Sequence, residues 1–186
     1  MKGDEIMHDV FYFTDIHGQR KLFDAIMNYC YEQDDEAMII FGGDAIDRGE
    51  DGYAIMKELL DNPYVVYLKG NHKDMFTKAA REIKQMFNFE NPTKENIRKC
   101  LNACKHFDYK YAAIQNSLYN GGLSTLTNWI LDGMSMDIIE RKERLRLCGY
   151  RGRQTSWGQN LSGQGLCRSD DEHHDRSGPC RGQDHH

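Results

Sequence analysis

The sequence predicts an α/β fold with a parallel sheet, on three grounds. Short apolar runs alternate with segments of helical periodicity, the alternation reads strand–helix–strand–helix–strand over 10–68, and each apolar run stops at a polar cluster. Parallel neighbours need a crossover of about a dozen residues or more, and a helix is the usual one.

Val10-Phe11-Tyr12-Phe13 has the aromatic character of a buried strand and ends in Thr14-Asp15. Over 19–33, Leu22, Phe23, Ile26, Met27 and Cys30 fall at helical spacing. Ala37-Met38-Ile39-Ile40-Phe41 reads as a second buried strand, stopping at Gly42-Gly43-Asp44. Ile55, Met56, Leu59 and Leu60 share one side of a helix over 53–60, and Val65-Val66-Tyr67-Leu68 is a third strand. Residues 74–117 read as mainly helical around the internal Pro92, until Asn120-Gly121-Gly122 interrupts. One further helix, with Leu126, Trp129, Ile130, Ile138 and Ile139 as its apolar side, is expected to reach about 144.

At 186 residues the chain suits one domain, expected over 1–145. Beyond it the composition changes. After Lys142 there is no Lys, Ile, Val, Phe, Ala or Met, and the large apolar residues of 151–186 are Trp157, Leu161 and Leu166 only. So few apolar side chains do not offset the entropy of ordering, so 146–186 is expected to be a polar, disordered tail. Its abrupt onset resembles a frame-shifted continuation.

Asp and Glu outnumber Lys and Arg by 29 to 24, which argues against a nucleic-acid surface. No stretch approaches the roughly 20 apolar residues of a membrane helix. The start, Met1-Lys2-Gly3-Asp4-Glu5, lacks the apolar run of a secretory signal, so a cytoplasmic address is expected. The 6 cysteines are scattered and read as reduced thiols. Cys100, Cys104 and His106 fall short of the four ligands that a structural zinc site takes.

The chemistry lies in three clusters, each just past the carboxyl end of a predicted strand: Asp15-Ile16-His17-Gly18, Gly43-Asp44-Ala45-Ile46-Asp47-Arg48-Gly49 and Gly70-Asn71-His72. In an open α/β sheet that edge gathers the strand-to-helix loops and binds ligands. Singly, each cluster is what any turn or helix cap uses. Together they offer carboxylate, imidazole, carboxylate and carboxamide donors, which suit Mn²⁺, Fe²⁺ or Zn²⁺. Asp44 is the central candidate to bridge two ions about 3.5–4 Å apart. Arg48 supplies a planar fork for phosphate oxygens. His72 can protonate a leaving alkoxide, with Asp47 orienting its ring.

In order and approximate spacing, these clusters resemble the three signature motifs of the calcineurin-like metallophosphoesterases. The Asp47-Arg48-Gly49 version is similar to the phosphoprotein phosphatase branch, notably the small serine/threonine phosphatases of the phage lambda type, and Asn120-Gly121-Gly122 resembles a segment of the phage enzyme. The resemblance, over roughly 8–125, implies the amino-terminal half of a β-sandwich flanked by helices. It implies two divalent ions, Mn²⁺ first and Fe or Zn as substitutes, with Asp15, His17 and Asp44 on one and Asp44 and Asn71 on the other. It further implies hydrolysis of a phosphorylated protein or small phosphoester by metal-activated hydroxide. Arg48, Asn71, His72 and Lys69 would then hold the phosphate, and His72 with Asp47 would assist the leaving group.

Two departures are local. The family's phosphatases usually carry Arg-Gly-Asn-His-Glu, whereas Lys69 and Lys73 flank the motif here. Lys69 keeps the charge and loses the bidentate fork. The third departure is larger: the family adds two histidines from a second sheet, and no His-Ala-Gly or Gly-His-Thr follows residue 125. Weak metal binding and little or no hydrolysis by these 186 residues alone are therefore expected. The alternatives are a catalytically silent metal- or phosphate-binding fragment, or a dinucleoside polyphosphate hydrolase of the same superfamily, whose members tend to lack the acidic residue at position 47.

Overall fold

A computed structural model of the chain describes residues 8–106 and 110–140. The expected tail, 146–186, lies outside the described residues. Three strands, β1 (Val10–Phe13), β2 (Met38–Phe41) and β3 (Val65–Tyr67), form one parallel sheet in the order β1-β2-β3. Val10 pairs with Met38 and Phe13 with Phe41, and Ile39 pairs with Val65 and Phe41 with Tyr67. The crossovers are α1 (Arg20–Gln33) and α2 (Gly52–Asp61). Sequential order with right-handed crossovers places both helices on one face, and α1 does pack against α2.

The expected strands and helices therefore form, within a residue or two at their ends. Apolar spacing explains why. Phe23, Met27 and Cys30, at four- and three-residue steps along α1, are buried, as are Ile55, Met56 and Leu59 on α2. Each fully buried side chain of this size contributes about 1.5–3 kcal/mol. The sheet's core face carries Phe41, whose ring meets Phe13 and Tyr67 edge-on at 5.0 and 5.4 Å. On the other face Tyr12, Ile40 and Val66 lie side by side in register, and Tyr12 is 54% exposed.

After β3 the described chain is helical: α3 (Asn71–Met86), α4 (Lys94–Cys104), α5 (Ala112–Tyr119), α6 (Leu123–Leu131) and α7 (Asp137–Glu140). Helix α3 packs on α5, and α6 packs on both α2 and α4. None of the described helices is long and apolar enough to cross a membrane. Cys30, Cys100 and Cys104 are free, and the Cys104 thiol donates to the Cys100 carbonyl one turn back.

The single helix expected from Leu126 to beyond Ile139 is a correction: it is two helices. Gly133 takes a left-handed φ of +85°, with its N–H on the Ile130 carbonyl and the Met134 N–H on the Trp129 carbonyl. That pair of bonds is a Schellman stop, which satisfies the last carbonyls and turns the chain away. Apolar periodicity resumes after it, so the spacing alone reads as one helix. The same stop closes α5. Gly121 has φ +90°, its N–H bonds the Leu118 carbonyl, and the Gly122 N–H bonds the Ser117 carbonyl.

The two stops differ in their surroundings. A Cβ on Gly133 would meet nothing within 4 Å, whereas one on Gly121 would lie 2.9 Å from the Arg48 nitrogen. Gly133→Ala is expected to lower the unfolding free energy by the left-handed cost alone, about 1–2 kcal/mol. Gly121→Ala should cost more than that. Equal losses in urea titrations of the two variants would contradict the close approach at Arg48.

Candidate metal centre

The three clusters converge at the carboxyl edge of the sheet. Their loops are stitched together by backbone bonds that prolong the parallel ladder beyond the strands. The Asp15 N–H donates to the Gly43 carbonyl (3.3 Å), His17 to Asp44 (3.0 Å) and Gly18 to Ala45 (2.8 Å). To do this, Asp15, His17, Asp44, Asp47 and Arg48 all adopt positive φ, between 47° and 70°. Left-handed non-glycine residues cost of order 1–3 kcal/mol each and gather at ligand sites. Five within 34 residues of sequence mark this edge as built for something other than stability.

The side chains meet as well. His17, Asp44 and His72 each bring a donor atom within 4.8 Å of the others. The His17 Nδ1 lies 3.2 Å from the Ile46 carbonyl, which fixes the proton there and leaves Nε2 as a ligand atom. That Nε2 faces an Asp15 carboxylate oxygen at 3.6 Å. The terminal amide of Asn71 lies 2.8 and 3.2 Å from the two carboxylate oxygens of Asp44. With its nitrogen turned inward it hydrogen-bonds Asp44; with its oxygen inward, two acceptors face each other, and a cation between them reconciles the clash. The donor set thus fits divalent metal.

Helix α3 begins at Asn71, so its positive end points at the cluster, and the His72 N–H donates to Asp44 Oδ1 at 3.1 Å. The His72 ring, 2% exposed as a residue, bonds through Nδ1 to Asp47 Oδ2 at 2.8 Å and stands edge-on to His17 at 4.8 Å. Asp47 is wholly buried, and its Oδ1 has no partner among the described residues. Burial pushes its carboxyl above the usual aspartate range, and the hydrogen bond to His72 pulls the other way.

Two expected residues stand apart from this cluster. Arg48 is exposed, with its backbone N–H on the Gly121 carbonyl at 3.0 Å. Lys69 is half-exposed and engages Asp74 at 2.6 Å, while Lys78 takes the other Asp74 oxygen at 2.6 Å. Lys69 and then Lys78 hold the Asp74 carboxyl down to about 2. Sequence reasoning missed Thr125, whose hydroxyl accepts the Asp47 N–H at 3.1 Å. A threonine inside an apolar helix run gives no signal of that task. Asn120-Gly121-Gly122 was singled out by resemblance, and its tight backbone contact with Arg48 is the physical reason it matters.

A parallel α/β sheet with carboxylate, imidazole and carboxamide donors gathered at its carboxyl edge makes a candidate site for divalent metal. The calcineurin-like phosphoesterase family model matches residues 9–161, and the chain belongs to that family. It is therefore a metallophosphoesterase by family, a class that works with divalent metal ions. Comparison with curated proteins gives no match.

A bound ion stabilises the folded chain as RT ln(1 + [L]/Kd), about 2.7 kcal/mol at a hundredfold excess over Kd. Mn²⁺ titration is thus expected to raise the melting temperature. Asp44→Ala should remove that rise and Asp24→Ala, on the solvent side of α1, should keep it. A rise surviving in Asp44→Ala would place the ion elsewhere.

Proposed function

We propose that the chain is a phosphomonoesterase of the serine/threonine phosphoprotein phosphatase type, using two divalent cations, Mn²⁺ foremost. The carrying observation is the buried Asp47–His72 pair set directly against His17 and Asp44. Asp15, His17 and Asp44 would hold one ion, and Asp44 with Asn71 the other. When bound, the pair of ions supplies Lewis acidity and a nucleophile at neutral pH.

The protein's own groups do the rest. Nδ1 of His72 is committed to Asp47, so Nε2 is the atom that delivers a proton to the leaving alkoxide. The buried Asp47 carboxylate fixes the ring and supports its positive charge, as the third member of a triad does. Arg48 reaches the phosphate from the rim with Asn71 and His72. Lys69 joins them by exchanging Asp74 for the phosphate. The substrate is a phosphorylated protein or a small phosphoester. An acidic residue at position 47 favours this over a dinucleoside polyphosphate hydrolase. On this reading the sheet is the first layer of a sandwich, and the partly open Tyr12–Ile40–Val66 face receives the second.

Loss of a positioned proton donor lowers turnover by about 10²–10⁴-fold. His72→Asn is expected to fall in that range at saturating Mn²⁺, and Arg48→Ala to raise KM above all. Para-nitrophenyl phosphate, a phosphoserine peptide and diadenosine tetraphosphate should be compared side by side. Faster cleavage of the dinucleotide than of the peptide would overturn the assignment, as would full activity in His72→Asn.

A further inference from the structure

The turn over 47–50 is strained at Asp47 (φ 70°) and Arg48 (φ 61°), so something must hold it. Three of its N–H groups are held: the Asp47 N–H on Thr125 Oγ1, the Arg48 N–H on the Gly121 carbonyl and the Gly49 N–H on the His17 carbonyl. Two of these anchors, Gly121 and Thr125, belong to the α5–α6 junction. That junction is itself tied to the turn by Arg98 of α4, far from the cluster in sequence. Nη2 of Arg98 lies 3.0 Å from both carboxylate oxygens of Glu50 and 3.0 Å from Ser124 Oγ, the neighbour of Thr125. Lys94, also on α4, approaches Glu50 at 3.8 Å, and Asn128 of α6 donates to the Glu50 carbonyl at 3.1 Å.

An ordinary surface ion pair holds little. This one is a three-way junction. Arg98 Nε is buried without a partner among the described residues, so the guanidinium sits where it joins Glu50 to Ser124 rather than where all its donors are served. Releasing it removes the side-chain part of the hold on Glu50, at the end of a turn whose left-handed residues favour relaxation.

We propose that Arg98 is a positioning residue: through Glu50 and Ser124 it clamps the 47–50 turn onto α6 and sets the reach of Arg48 toward phosphate. The second half rests on the reading of Arg48 as a phosphate-binding group. Arg98→Met keeps the packed stem and removes the clamp, and Glu50→Gln weakens it from the other side.

Amide exchange on the full chain without metal reads the clamp directly. In Arg98→Met the Asp47 and Arg48 amides should exchange about tenfold faster or more, as local opening allows, while the Ile39 and Gly42 amides of the sheet stay unchanged. Calorimetry with inorganic phosphate on the Mn²⁺-loaded protein should show binding weakened about three- to thirtyfold. The Mn²⁺ affinity itself should stay within about twofold, and the double variant should be no worse than the poorer single one. Unchanged exchange at Arg48, or a phosphate loss that merely tracks a Mn²⁺ loss, would overturn the clamp. Phosphate affinity intact in Arg48→Ala, with fast exchange in Arg98→Met, would sink the phosphate reading and leave the clamp standing.

Discussion

The site depends on one constraint: the loop after β1 and the loop after β2 are hydrogen-bonded to each other backbone to backbone. A parallel ladder normally ends with its strands. Here it runs on through Asp15–Gly43, His17–Asp44 and Gly18–Ala45, and it does so only because Asp15, His17 and Asp44 turn left-handed. The turn directs their side chains outward to one point while the backbone bonds stay inside. In an ordinary extended segment Asp15 and His17, two apart, would share a face as well. What accompanies the left-handed turns is the bonding of one loop to the other, which carries Asp44 alongside His17.

The buried Asp47–His72 pair follows from the same logic and carries a cost of its own. A carboxylate with no exposure and one unpartnered oxygen is disfavoured in its charged form, which is why burial raises its carboxyl. For an acid whose folded pKa is raised, stability is fully present below the unfolded pKa and falls as pH rises through the folded one. At neutral pH the buried Asp47 carboxylate therefore opposes folding unless a positive charge beside it compensates. Breaking such a pair from one side costs about 3–5 kcal/mol, because the other charge stays buried. A motif that works against stability at the working pH is a functional device, consistent with the strained turns around it.

How much of this was legible in the sequence follows from the range of each interaction. The strands and first two helices are local patterns, and Phe23–Met27–Cys30 or Ile55–Met56–Leu59 read directly. The convergence of Asp15, His17, Asp44, Asn71 and His72 was legible because all sit in the loops or helix start just after a strand, and strand ends in a parallel sheet share an edge. The break at Gly133 was not, since apolar spacing continues on both sides and the glycine's handedness is a three-dimensional property. Nor were Thr125, Ser124 and Arg98, ordinary residues on ordinary helices. Their roles arise from pairings across 26 to 78 residues that no local pattern encodes.

The charges around α3 bear on what the edge prefers to hold. Lys73 follows His72 and is 3% exposed, with its ammonium 4.8 Å above the Tyr67 ring. A buried cation is costly unless compensated, and an aromatic face offers part of the compensation. Lys69 stands just before the helix, and the helix start itself is partly positive. Set against them are Asp15 and Asp44, with Asp47 buried behind His72. Of these positive groups the helix start is the one that touches the cluster, through the His72 N–H on Asp44 Oδ1, while Lys69 is engaged by Asp74 and Lys73 lies over Tyr67. On the proposed function, bound ions and phosphate would be coupled, because the cations would answer the carboxylates of Asp15 and Asp44 and the phosphate would answer the cations and the positive start of the helix.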